Sequence, residues 1–320
     1  MTQGFLRRFV AGLCILWAVA SLTFFLASLA PGDIATQLAD PRLSPAARAR
    51  LRQYYGLDRP LLQRYSSWLQ ATLQGDFGDS FLYRRPVTQV LSESLPHTAL
   101  LAGVGIALEF ALGISLGLIQ ARRPHGLLDR TLTSLSLTAY ALPSFLLAAL
   151  LLWLFAYTLP VFPPSHMTGT LPPAASPWLR LQDRLAHLAL PAMTIGLTSC
   201  GAVARYLRGT LLEQNQQTYI LAALARGASS QRVLFVHALP NALLPLITLV
   251  GLSLPFLVSG SLLVEVIFSW PGIGKVFYSA VTARDIPLIQ ASTLLVTAAV
   301  ILGNWLADVT YSLADPRVRT

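Results

Sequence analysis

The sequence predicts an all-α integral membrane protein with six transmembrane helices. Its 320 residues are 54% hydrophobic and 12% charged, against roughly 25% charged in soluble domains. Mean hydropathy is +0.58. Six windows reach the ~20 apolar residues that a spanning helix requires. The net charge of +9 is spread between those windows and one long loop rather than along a stripe, which fits membrane topology and not a nucleic-acid surface.

The windows fall at about 9–30, 98–120, 133–157, 188–207, 241–263 and 288–312. Arg7 and Arg8 precede the first, and Ser28 and Ala30 near its end resemble a signal-peptide cleavage site. Its apolar run is longer than the ~7–15 residues of a signal peptide, so it reads as a retained span. Residues 31–97 are too polar to span. There Ser44 and Pro45 mark the start of a helix through AARARLRQYY, with Gly56 as its stop. A second helix is predicted over 61–74, where Leu61, Tyr65, Trp68, Leu69 and Leu73 share one face ahead of Gly75. This outer pair reads either as a packed cap or as a ligand-facing element. Pro143, Pro191, Pro245 and Pro255 are expected to bend or begin spans. The segment VEVIFSWPGIGKVFYSAVTARDIP at 264–287 combines interfacial aromatics with the turn-forming Pro271, Gly272 and Gly274. It predicts a short re-entrant or surface helix.

Counting basic residues orients the chain. With the amino terminus inside, eleven Arg residues collect on the cytoplasmic side, and the two short outer loops hold four Lys and Arg. Both termini are therefore expected in the cytoplasm. Cys14 and Cys200 lie far apart in apolar segments and form no CxxC pair. The five histidines are scattered, so neither they nor the cysteines predict a protein-held metal site.

The segment YILAALARGASSQRVLFVHALPNALLP, from Tyr219 to Pro245, carries the functional reading. A helix over 213–226 places Tyr219, Ala222, Ala223 and Arg226 along one side, with alanines that allow close approach. Gly227 can end that helix in the left-handed conformation. Ser229 or Ser230 then caps a second helix carrying Arg232, Val233, Phe235 and Val236, and Leu239 and Pro240 lead into the next span. The residues alone leave two readings open: a docking surface for a cytoplasmic partner, or a connector between spans.

This segment resembles the cytoplasmic motif of ABC-importer permeases: Glu-Ala-Ala, three residues, Gly, nine residues, Ile, one residue, Leu-Pro. Ala222 and Ala223 match the alanines, Gly227 the glycine, and Leu239 with Pro240 the final pair. Leu221 replaces the Glu and His237 the Ile. The resemblance extends over nearly the whole chain, to the dipeptide, oligopeptide and nickel branch. It rests on GLDRPL at 56–61, GDFGDSF at 75–81 with RRPV at 84–87, LPSFLLA at 142–148, HALPNALLP at 237–245, FSWPGIGKVFYSAV at 268–281 and LADPRVR at 313–319.

The resemblance implies a permease of the type I ABC importer kind, with cytoplasmic coupling helices and a periplasmic loop of short helices. It implies a division into an amino-terminal span (1–30), an extracytoplasmic helical loop (31–97) and a five-helix core (98–320) with its coupling segment at 208–240. Implied partners are a second homologous permease subunit, two ABC ATPase subunits and an extracytoplasmic solute-binding protein, besides the lipid bilayer. Tyr219, Ala222, Ala223, Arg226, Gly227, Leu239 and Pro240 would dock the ATPases. Peptides are the implied cargo, with nickel or another metal chelate as the alternative. The sequence contains no P-loop, and Gly272–Lys275 lacks the first glycine and final Ser or Thr of one. The chain is thus expected to be no enzyme and to bind no cofactor, leaving ATP and Mg to its partners.

Glu109 falls in the middle of the second window, where an acid must face protein or water. It reads either as a pathway-lining group or as a carboxyl bonded to a neighbouring helix. Asn304 and Asp308, one turn apart near the end of the sixth window, read as a structural polar pair. A secondary transporter is the rival class. It would call for internal repeats, and the two halves of the chain show no clear one.

Overall fold

A computed structural model describes residues 2–29, 58–253 and 262–314. The helix expected from Ser44 to Gly56, Pro255 and the chain end from 315 lie outside the described residues. In order the elements are α1 (Thr2–Leu29), α2 (Leu61–Leu73), β1 (Asp79–Ser80), β2 (Arg85–Pro86), α3 (Val87–Arg122), α4 (Leu127–Ala141) and α5 (Ser144–Leu152), which runs on into a π-helical turn at Trp153–Thr158. Then follow α6 (Pro177–Gln214), α7 (Thr218–Ala225) and α8 (Leu239–Ser253), the last entered through the turn Ser230–Arg232 and a π-helical turn Val233–Ala238. α9 (Leu262–Ile267), α10 (Ile273–Ala283) and α11 (Ile286–Ala314) complete the described chain.

Among the described residues, five helices are long and apolar enough to cross a membrane, or six if the α4–α5 pair counts as one span. The expected third span, 133–157, is not one straight helix: α4 and α5 meet at 108°. Pro143 causes the break. It has no N–H to continue the α4 ladder, and it drives the preceding residue out of the helical region, so Leu142 is extended at φ −72°, ψ 133°. The second and fourth spans are longer than their windows, because hydropathy sees only the apolar middle of a helix. α6, with 38 residues, is about 57 Å long at 1.5 Å per residue, well beyond the ~30 Å hydrocarbon core. The fifth apolar stretch runs from Ser230 to Gly251 rather than from about 241 to 263, and residues 254–261 lie outside the description.

Contacts divide the chain into two compact units, residues 1–95 with 276–299 and residues 96–275 with 300–320. In the first, the predicted aromatic face of α2 packs on α1. The Tyr65 and Trp68 ring centroids lie 5.4 and 5.1 Å from that of Phe24, and the Tyr65 and Ser21 hydroxyls are hydrogen-bonded at 2.7 Å. Its apolar core gathers Val87, Val90 and Leu91 against Val276, Ala280 and Leu288. Asp285 joins distant segments: one carboxyl oxygen accepts from the Ser80 hydroxyl at 2.5 Å and the Leu82 N–H at 3.0 Å. The other accepts from Leu288 N–H at 3.2 Å, which caps α11.

In the second unit, α3 lies against α6 at glycines. A methyl group at Gly113 would sit 2.5 Å from Val203 Cβ, one at Gly105 2.7 Å from Ile195 Cγ2, and one at Gly117 2.9 Å from the Ala204 carbonyl. α4 meets α6 in the same manner, with Gly201 against the Ser136 carbonyl. Lipid supplies no hydrophobic drive between helices, so this closeness maximises dispersion contact. One apolar cluster joins Leu101, Leu147, Leu190, Phe268 and Trp270. A second joins Val203, Leu207 and Leu211 of α6 to Ile220, Ala223, Val233, Ala238 and Leu246.

Candidate functional site

The predicted docking segment is a helical hairpin packed on the second of these clusters. α6 ends at Gln214, and the turn Asn215–Gln217 separates it from α7, so the expected single helix over 213–226 is interrupted. α7 closes at Gly227 in the left-handed conformation, φ +84°. There the Ala228 N–H donates to the Ala223 carbonyl at 3.1 Å and the Gly227 N–H to the Leu224 carbonyl at 2.9 Å. That paired bonding is the Schellman ending, and it favours glycine at this position because a Cβ would be strained there. Ser229 caps the return helix through its hydroxyl, which accepts from Arg232 N–H at 3.4 Å. The helix widens into its π turn just before Pro240, whose ring nitrogen cannot serve the Val236 carbonyl.

The seven predicted docking residues do not form one surface. Ala222, Arg226, Gly227 and Pro240 are exposed, but Ala223 is buried and Leu239 packs partly buried on the same cluster. The expectation that both alanines face a partner fails for Ala223, because α7 turns its Ile220 and Ala223 side toward its own bundle. The small side chain at 223 serves packing within the chain. Tyr219 is partly committed as well: its hydroxyl donates to Gln214 Oε1 at 2.5 Å and accepts from Asn241 Nδ2 at 3.1 Å. It ties the ends of α6 and α8 to α7 and thereby fixes the hairpin's position.

The exposed face is more apolar than the alanine pattern suggested. Leu221 is 56% exposed, Leu224 44%, Phe235 46% and Val236 57%. They are flanked by the exposed guanidinium groups of Arg226 and Arg232. Leu221, where the motif has Glu, is thus among the exposed apolar side chains. Helical spacing from Gly227 back to Leu221 and Leu224 was the available signal.

Glu109 lies within α3, 7% exposed, and makes no hydrogen bond among the described residues. No hydrogen bond or ion pair joins Glu109 to the docking segment among the described residues. Asn304 is exposed and Asp308 half-buried on α11. No group of three His, Cys, Asp or Glu side chains suited to a metal occurs among the described residues.

Sequence reasoning missed Glu265, which is fully buried three residues before the FSWPGIGK string. Its Oε2 accepts from the Gly274 N–H at 2.7 Å and the Lys275 N–H at 3.3 Å. Its Oε1 accepts from the Thr98 hydroxyl at 2.8 Å, and Thr98 Oγ1 accepts the Ile273 N–H at 2.8 Å. Three amides of the first turn of α10 are thus capped by side chains from elsewhere in the chain. The Trp270 indole N–H donates to the His97 carbonyl at 2.9 Å, which completes the attachment of this turn to α3.

Comparison with known proteins adds to this geometry. Residues 113–320 match the family described as binding-protein-dependent transport system inner membrane component, and residues 1–102 its amino-terminal part. An oligopeptide transport system permease protein of Bacillus subtilis is 36% identical over 319 residues, covering 99% of each chain. A probable peptide ABC transporter permease protein of Sinorhizobium fredii is 35% identical over 98% of each. A putative peptide transport system permease protein of Brucella abortus is 37% identical over 100% of this chain and 99% of its own. Among solved structures, two inward-facing crystal forms of the MetNI methionine ABC transporter share the fold, with TM-scores of 0.56 and 0.53 at 17% and 19% identity. Each match covers 71% of this chain and 97% of the other.

Proposed function

The chain belongs to the family of binding-protein-dependent transport system inner membrane components, and on that basis we propose that it is the permease subunit of an ATP-driven importer of di- or oligopeptides. Paired with a second homologous permease subunit, it forms half of the translocation pathway. A solute-binding protein delivers the peptide from outside. Two ABC ATPase subunits, using ATP and Mg, grip the α7–α8 hairpin from the cytoplasm. The observation that carries the docking role is the exposed apolar face of Leu221, Leu224, Phe235 and Val236 on a hairpin held rigidly by Tyr219 and the Gly227 ending.

Closure of the ATPases would move this hairpin as a body. α8 begins within it and continues as a membrane span, so displacement at Phe235 is carried directly into the bundle. Leu221 calls for an apolar patch on the ATPase where an acid would call for a cation. Glu109, buried and without a hydrogen bond among the described residues, lines the pathway in this reading, where a peptide amino terminus could meet it.

Co-expression with the ATPase chains tests both parts. Leu221→Asp combined with Leu224→Asp should cut ATPase co-purification at least about tenfold, since two apolar contacts of roughly 1 kcal/mol or more each are lost. Glu109→Gln should leave co-purification intact and lower peptide uptake by reconstituted vesicles. Full ATPase retention by the double variant would end the docking assignment. Wild-type uptake by Glu109→Gln would end the pathway assignment.

A further inference from the structure

A cavity of about 490 Å³ lies in the second unit, among the end of α3, the start of α4 and the distal half of α6. Its charge is unbalanced. Three arginines line it, and only Arg208 is neutralised, donating from Nε and Nη2 to the two oxygens of Asp129 at 2.9 and 2.7 Å. Arg130 and Arg205 are exposed and make no ion pair or hydrogen bond among the described residues. Two arginines with no ionic partner among the described residues therefore line one cavity.

A second observation is independent of charge. Gln120, 2% exposed, also lines the cavity, and its Nε2 donates to the Thr133 hydroxyl at 3.1 Å. That hydroxyl gives its own proton to Asp129 at 3.4 Å, so it can only accept from Gln120. The Gln120 carbonyl oxygen is left buried without a partner among the described residues. A buried acceptor of this kind calls for a donor from outside the chain. A ligand that answers both features carries an anionic group and a hydrogen-bond donor.

We infer that this cavity holds the phosphodiester headgroup of an anionic glycerophospholipid, with the phosphate between Arg130 and Arg205 and a headgroup hydroxyl donating to Gln120. The surroundings favour a lipid over free phosphate. Leu137 lines the cavity and is exposed, and Leu135 and Tyr140 of α4 and Tyr206 of α6 are exposed nearby in sequence, as acyl chains require. Arginine supplies the planar donor fork suited to phosphate oxygens, and basic pockets between spans are suited to such headgroups.

Native mass spectrometry of the full-length chain, purified in detergent with its partner subunits, tests this. The probes are palmitoyl-oleoyl phosphatidylglycerol, the corresponding phosphatidic acid and phosphatidylcholine, and inorganic phosphate. Wild type should retain phosphatidylglycerol over phosphatidylcholine. Arg130→Ala with Arg205→Ala should weaken phosphatidylglycerol retention about tenfold or more, whereas Arg122→Ala with Arg123→Ala, off the cavity, should stay within about twofold. Gln120→Leu should weaken phosphatidylglycerol and spare phosphatidic acid, which lacks the headgroup hydroxyl. Arg130→Lys with Arg205→Lys, which keeps the charge, should recover part of the retention and so separates binding from folding. Equal losses in the two alanine pairs would overturn the proposal in favour of diffuse surface attraction. Displacement of the lipid by millimolar inorganic phosphate would overturn it in favour of a free-anion site. Absence of lipid, with a partner subunit lost from the Arg130→Ala, Arg205→Ala complex, would assign the cavity to that partner.

Discussion

Gly272 shows how much a single residue decides here. A Cβ at this position would overlap the Glu265 carboxyl and the Thr98 hydroxyl, the two groups that cap α10. Gly272→Ala should therefore force one of these buried acceptors off its amide, a loss of about 1–3 kcal/mol. Thermal unfolding in detergent should show it, and an unchanged midpoint would mean that the cap is dispensable. None of this was legible at the residue level. The string FSWPGIGK announced a turn, but the acid that holds it stands seven residues before Gly272 and the threonine far away on α3. Spacing gives no sign of either partnership, and the same holds for Asp129 with Arg208 and for Asp285 with Ser80.

At the scale of elements, the α7 ending was readable because its cause is local: only glycine takes φ +84° without strain. Gly227→Asp leaves open space around the new Cβ but adds about 1 kcal/mol or more of backbone strain. The Schellman bonds should loosen, and the angle between α7 and the return helix should change. Hydrogen exchange at Gly227 and Ala228 should accelerate, with ATPase retention falling in parallel. Unchanged exchange would show that residue 227 does not set the hairpin. The α4–α5 bend was half legible. Pro143 predicts a break, but whether the chain continues straight or turns by 108° depends on what the following helix packs against. The inward turn of Ala223 was illegible, since Tyr219, Ala222, Ala223 and Arg226 do lie within one helical arc and only the bundle decides which edge of that arc is covered.

At the scale of the whole molecule, the proposed orientation places the hairpin in the cytoplasm and the start of α6 outside. In a background with Cys14 and Cys200 replaced by serine, a cysteine at the exposed Trp178 should react with a membrane-impermeant maleimide in intact cells. A cysteine at the exposed Ala225 should react only after lysis. The reverse pattern would invert the topology. By itself the sequence determined that this is a multi-span helical membrane protein and roughly where it crosses. Hydropathy, basic-residue bias and capping act over a few neighbouring residues, so the chain states them openly. Tertiary structure alone decided which side of α7 is free, which carboxyls hold distant amides, and that two arginines and a glutamine oxygen, without partners among the described residues, share one cavity. Those outcomes depend on contacts between residues tens to hundreds of positions apart, and the distances that create them exist only once the helices have packed.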